Sequence, residues 1–256
     1  MKRNNWTREQ LILAFNLYIK IPYGTITGSN PRVMELAHLI GRTPDAVGLK
    51  LCNFARFDDY HKARGVKGLA HGGKLDEVIF NEFTHNWDDL LFESEQVLLK
   101  YKESSIEESY PDIIAKLASK KGEVRIREVK TRVNQNLFRQ MILSIYGSKC
   151  AVSGIDNTEF LIASHIKRWA DDPNERLNPE NGICLSSLYD RAFEEGFIGF
   201  DENYTILISS DLKKKKDKPF YNNFFGQFEG KPLNLPDRFR PSKIFIEQHL
   251  ENRFRG

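Results

Sequence analysis

Three residues in the second half of the chain, His165, Asn181 and Asp190, are of types that could serve the cleavage of a phosphodiester. His165 stands in Leu161-Ile-Ala-Ser-His165-Ile-Lys-Arg-Trp169, Asn181 opens Asn181-Gly-Ile-Cys-Leu185, and Asp190 belongs to Leu188-Tyr-Asp190-Arg-Ala-Phe-Glu-Glu-Gly196. Cleaving such a bond needs an activated water, neutralisation of a crowded anion and stabilisation of the leaving oxygen. An imidazole with an ordinary pKa of about 6.5 is mostly neutral near pH 7 and can take the proton of water. A carboxylate is a hard oxygen ligand for Mg²⁺ or a similar divalent ion. The amide of Asn181 carries donors and an acceptor, so an Asn-Gly turn can pin a loop and aim the imidazole at the metal. Lys167 and Arg168, beside the base, are candidates for phosphate contacts.

These residues need a scaffold that changes period along the chain. Short runs at 160–166, 182–185, 197–200 and 204–209 read as strands or extended turns, with a helix at about 187–195 between them. Upstream, Leu137, Phe138, Met141, Ile142 and Ile145 fit one face of a helix over 134–146, closed by Gly147. The first hundred residues read as helical. Thr7-Arg8-Glu9-Gln10 is a capping box that opens a helix over about 8–20, and Asn30-Pro31 and Thr43-Pro44 start the next two. Four glycines between residues 65 and 74 predict a basic loop, and polar residues 104–111 predict a linker. The expected fold is α+β: a helical domain over 1–102, a linker over 103–124, and a mixed domain over 125–256.

The linked motifs, from Cys150-Ala-Val-Ser-Gly154 through His165, Asn181-Gly182 and Asp190 with Phe193 and Gly196, resemble the HNH nuclease family. That family has a ββα-metal finger, with a His on a hairpin strand, an Asn in the connecting loop and a metal ligand on the following helix. The resemblance runs over residues 150–209. It implies a ββα-metal finger with extra helices and strands, and a metal-dependent DNA endonuclease that leaves 5′-phosphate and 3′-hydroxyl ends. It also implies one divalent ion per site, Mg²⁺ with Mn²⁺ as the substitute. Many members have an acidic ligand where Ser164 stands, a His where Asp190 stands, and zinc-binding Cys pairs where this chain keeps Cys150 alone. Asp190 and Ser164 are therefore the expected metal ligands, Glu194 or Glu195 are additional candidates, and no structural zinc is expected. One finger cuts one strand, so double-strand cleavage requires a homodimer or two successive nicks.

A looser resemblance covers the first half. Residues 36–47, with Trp6-Thr7 and the Gly41-Arg42-Thr43 turn, look like a helix-turn-helix or Myb-type module. It implies that Arg42, Thr43, Lys50, Asn53 and Arg56 meet DNA, while Lys67 and Lys74 of the glycine-rich loop approach its backbone. A targeting domain joined to an HNH domain is similar to bacterial restriction and phage-defence nucleases. Two other readings stand beside it: a DNA-binding regulator with a degenerate finger, and an RNA nuclease.

Composition sets the outer limits. Of 256 residues 40% are hydrophobic, too many for a disordered tail, and no apolar stretch approaches the roughly 20 residues of a membrane span. The basic start leads into a polar helix pattern and not an apolar signal core, so a cytoplasmic protein with no membrane partner is expected. Three scattered cysteines disfavour a disulfide framework. Net charge is only +3, but basic residues concentrate after residue 120.

Overall fold

The computed structural model describes residues 5–65, 73–84 and 86–256. Lys67 and most of the expected glycine-rich loop lie outside the described residues. The chain divides into two compact units, Met1–Leu137 and Phe138–Gly256. The first is helical: α1 (Arg8–Lys20), α2 (Pro31–Leu39), α3 (Pro44–Ala55), α4 (Asp59–Ala63), α5 (Lys74–Phe83), α6 (Trp87–Tyr101), α7 (Ile106–Ser109), α8 (Pro111–Lys116) and the first part of α9 (Gly122–Ile145). The second holds the rest of α9, then β1 (Leu161–His165), β2 (Gly182–Ser186), α10 (Ser187–Glu194), β3 (Ile198–Phe200), β4 (Ile206–Ile208), α11 (Ser210–Lys213), α12 (Pro219–Phe224) and α13 (Lys243–Asn252). The fold class is α+β. Residues 103–124 carry α7, α8 and the first turn of α9.

Local signals set the helix starts. Thr7 Oγ1 accepts from the Gln10 N–H at 3.2 Å and the Gln10 side chain accepts from the Thr7 N–H at 3.3 Å, so two free donors of α1 are satisfied. Asn30 and Thr43 cap α2 and α3 ahead of a first-turn proline. Burial then assembles the elements. Phe15 and Tyr18 of α1 meet Phe54 of α3, with the Phe15 and Phe54 rings 5.2 Å apart edge to face, and Ile79, Phe83, Leu90 and Leu91 close the core from α5 and α6. Each fully buried side chain of this size contributes about 1.5–3 kcal/mol. The Tyr18 hydroxyl keeps a partner by donating to Asp58 at 2.8 Å.

In the second unit β1 and β2 form an antiparallel hairpin with Leu161 opposite Ser186 and His165 opposite Gly182. Gly182 has to be glycine. A Cβ there would lie 2.5 Å from Ile142 Cδ1 and 2.9 Å from Phe138 Cζ, so its absence lets α9 lie against the hairpin. Helix α10 follows β2 directly and packs on both strands. A second hairpin, β3 with β4, carries α13. Phe138, Met141, Ile142, Ile183, Leu185, Phe193, Phe200 and Ile246 are buried between these elements.

Candidate active site

His165 ends β1. Its ring stacks on Phe138 at 4.5 Å with 15° between planes, and Trp169 meets it edge-on at 5.5 Å. Nε2 lies 2.8 Å from the Arg176 carbonyl oxygen. A carbonyl only accepts, so Nε2 carries the hydrogen in the neutral ring and Nδ1 carries the lone pair. Among the described residues Nδ1 has no hydrogen-bond partner, and His165 is only partly buried. Burial pushes the pKa of the imidazole below its ordinary value, against the raising effect of the Arg176 carbonyl.

The bonds of Asn181 hold the loop that supplies this carbonyl. Asn181 is 1% exposed. Its Oδ1 accepts from the Lys167 N–H at 2.8 Å, and its Nδ2 donates to the carbonyls of Lys167 at 3.1 Å and Glu175 at 3.0 Å. The Asn181 carbonyl also accepts from the Ile166 N–H at 3.0 Å. One side chain thus ties both ends of residues 167–175 to the start of β2. It makes no bond to His165 itself and acts through the loop that ends at Arg176. The guanidinium of Arg176 is fixed in turn, with Nε donating to the Trp169 carbonyl and the charge 5.2 Å over the Trp169 ring.

Ser164 and His165 are successive strand residues, so their side chains leave opposite faces of β1. Ser164 is 2% exposed, and its hydroxyl makes no hydrogen bond of good geometry. It lies beside Asp190 of α10. Burial raises the pKa of the Asp190 carboxyl, while Ser164 opposes the rise and Glu194 adds to it. The structure therefore brings Ser164 and Asp190 together, and among the described residues no hydrogen bond or ion pair joins His165 to Asp190. No group of three or more His, Cys, Asp or Glu side chains converges among the described residues. A carboxylate beside a buried hydroxyl oxygen nevertheless fits a hard divalent ion. Mg²⁺ commonly keeps several waters and takes one or two protein carboxylates plus phosphate oxygens.

Lys167 donates to Asp172 at 2.7 Å, whereas Arg168 is exposed and makes no side-chain bond among the described residues. Cys150 is buried, its sulfur accepting from the N–H groups of Ser186 and Ser153, and burial pushes the Cys184 thiol up to about 12.

The residues expected to meet DNA from the first unit are placed unevenly. Lys50 and Asn53 are each 8% exposed, because that side of α3 faces α5, and Lys50 Nζ contacts both carboxylate oxygens of Asp76 at 2.8 Å. Their expected surface position is thereby corrected. Arg42 donates to Asn5 and Gln10 and stacks on Trp6 at 4.9 Å, Arg56 lies 4.5 Å over Phe57, and Thr43 caps α3. Lys74 is exposed at the start of α5.

Sequence reading missed the partners that orient the site: the Arg176 carbonyl, which has no residue-type signature, and Phe138, whose ring belongs to a helix far upstream. Gly182 opposite His165 was the available signal for a helix lying close to the hairpin.

A search of curated proteins found no match to the chain. No helix among the described residues is long and apolar enough to cross a membrane. Residues 150–201, which include β1, β2, α10 and all three of His165, Asn181 and Asp190, match the family model of an HNH endonuclease. Over this segment the chain is similar to HNH endonucleases.

Proposed function

We propose that the chain is a metal-dependent endonuclease that hydrolyses DNA, with residues 125–256 as the catalytic domain, residues 1–102 as a recognition domain and residues 103–124 joining them. The observation that carries this reading is the bond between His165 Nε2 and the Arg176 carbonyl. It fixes the tautomer whose Nδ1 can take a proton from water, and burial keeps the ring neutral at pH 7 so that it rests as a base. As the ring gains charge, the same carbonyl stabilises the imidazolium. Asn181 is a positioning residue that keeps the loop, and with it the carbonyl, in register. Asp190 and Ser164 offer the oxygens for Mg²⁺ or Mn²⁺. Such an ion, when bound, neutralises the scissile phosphate and stabilises the leaving 3′ oxygen. Lys167 and Arg168 supply positive charge along the backbone.

In the recognition domain, Arg42, Thr43, Arg56 and Lys74 are the residues proposed to meet DNA. Lys50 and Asn53 would do so only after α3 parts from α5, and Lys67 joins them from the neighbouring segment. A restriction or phage-defence role follows from joining such a domain to a nuclease. Two copies would act together on a double-strand cut.

Incubation of supercoiled plasmid, base-modified and unmodified, with Mg²⁺ or Mn²⁺ and with chelator tests the reading. Ion-dependent nicking is expected, with a preference between the plasmids if the role is defence. The serine at position 164 and the lack of a three-residue ligand cluster among the described residues favour a second reading, a DNA-binding regulator with a degenerate finger. Duplex binding with no calorimetric response to millimolar Mn²⁺ and no nicking would establish that alternative. Faster cleavage of matched RNA than of DNA would assign the substrate to RNA.

A further inference from the structure

The end of the chain is built against the helix that carries Asp190. Gly196, just past α10, has φ +72°, and a Cβ there would lie 1.9 Å from the Arg253 carbonyl oxygen. Only glycine allows that approach. The Arg255 N–H donates to the Gly196 carbonyl at 2.9 Å. His249 of α13 anchors the same contact, its ring stacked on Phe193 at 3.8 Å and its Nε2 donating to the Phe193 carbonyl at 2.9 Å. Arg253 follows one turn later, with its N–H bonded to the His249 carbonyl. It is thereby carried to the end of α10, where Nη2 donates to the Glu194 carbonyl.

The guanidinium of Arg253 is poorly satisfied. Its Nε is sealed from solvent without a hydrogen-bond partner, and its charge registers at Asp190. Arg168, from the loop after β1, is close enough to repel it. Among the described residues no carboxylate forms a salt bridge with either guanidinium. The carboxylates of Asp171, Glu194 and Glu195 are close enough to act on Arg253 without bonding to it, and the two glutamates pair with Arg191 and Arg255. Two mutually repelling guanidiniums, the exposed Arg168 and the half-buried Arg253 beside an acid, suit an arriving phosphate, whose oxygens match the planar fork of arginine.

We propose that Arg253 and Arg168 form a clamp for a backbone phosphate next to Asp190, so that α13, outside residues 150–201, completes the substrate site. The effect on rate rests on the nuclease reading above, and the effect on binding does not.

The test is duplex affinity of the full chain in chelator, by fluorescence anisotropy over a series of salt concentrations, together with plasmid nicking in Mn²⁺. Arg253→Ala is expected to lower the log–log salt slope by about 1, the signature of one lost phosphate contact, and to slow nicking by about a hundredfold. Arg253→Lys restores the slope but only part of the rate, because an ammonium lacks the fork. Arg168→Ala, at an exposed loop residue, is expected to lower the slope equally with an unchanged melting temperature, which excludes loss of folding as the cause. A wild-type slope in Arg168→Ala and Arg253→Ala overturns the clamp, even if nicking proceeds. A lowered slope in a protein that nicks nothing supports the clamp and sinks the nuclease reading instead.

Discussion

Lys50 in the N-terminal unit and Arg253 in the C-terminal unit are both cations drawn out of water, and the two units treat them differently. Lys50 meets both oxygens of Asp76, itself 1% exposed, and Asp76 also accepts from the Gly73 N–H to start α5. Arg253 has one backbone carbonyl and an Nε with no partner. Arg8 pairs with Glu82 and Glu93, Lys100 with Glu9, and Lys130 with Asp88 and Asp89, whereas Arg168 and His165 Nδ1 make no side-chain bond among the described residues. Saturated charge marks a scaffold, and open polar groups held in place by the backbone mark a site that awaits a ligand.

The largest effect is expected where a saturated pair is halved. Lys50→Ala strands a buried carboxylate and should cost about 3–5 kcal/mol in urea unfolding, while the double change Lys50→Met with Asp76→Leu should restore most of it. Equal stability of the single variant and the wild type would show that the pair is not buried in solution. Next comes His249, whose pKa is lowered to about 4 by burial, against the Phe193 carbonyl and with help from Arg253 and Arg168. Between about pH 4 and the ordinary value of about 6.5 the unfolded chain binds a proton that the folded chain refuses. Stability is therefore full above that window and falls as pH drops through it, by about 3 kcal/mol at most. Unfolding at pH 7.5 and pH 5 measures this, and His249→Asn should shrink the difference.

Asn181→Ala removes three bonds to loop backbone and should cost about 1–3 kcal/mol. It should lower the nicking rate without changing Mn²⁺ affinity, because the residue acts on His165 through the Arg176 carbonyl. A change in calorimetric Mn²⁺ affinity would contradict that division of labour. Smallest of all is Arg8→Ala, whose partners stand in solvent, with less than about 1 kcal/mol expected.

Much of the scaffold was legible because its signals are local. The capping box at Thr7 and the cap-proline pairs at Asn30 and Thr43 each name a helix start within four residues, and α1 runs over the expected Arg8–Lys20. Helix α9 was legible only from about residue 134. Its first half is rich in Glu, Arg and Lys, and Ile126 is 69% exposed, so a rule based on burial finds a continuous buried face only from Val133 onward. Within the site, residue types in order gave His165, Asn181 and Asp190. The Arg176 carbonyl is a backbone atom any residue could supply, and Arg253 comes from 59 residues beyond Glu194, a separation that only tertiary packing closes. Apolar spacing on α3 likewise did not reveal that Lys50 faces inward, because its buried partner Asp76 lies on another helix.

The reading as a nuclease turns on whether the imidazole at the end of β1 takes a proton from water. The rate of Mn²⁺-dependent plasmid nicking by His165→Ala beside the wild type measures it directly. A fall of about 10²–10⁴-fold with intact duplex binding is expected for a lost general base. Nicking at the wild-type rate would contradict it.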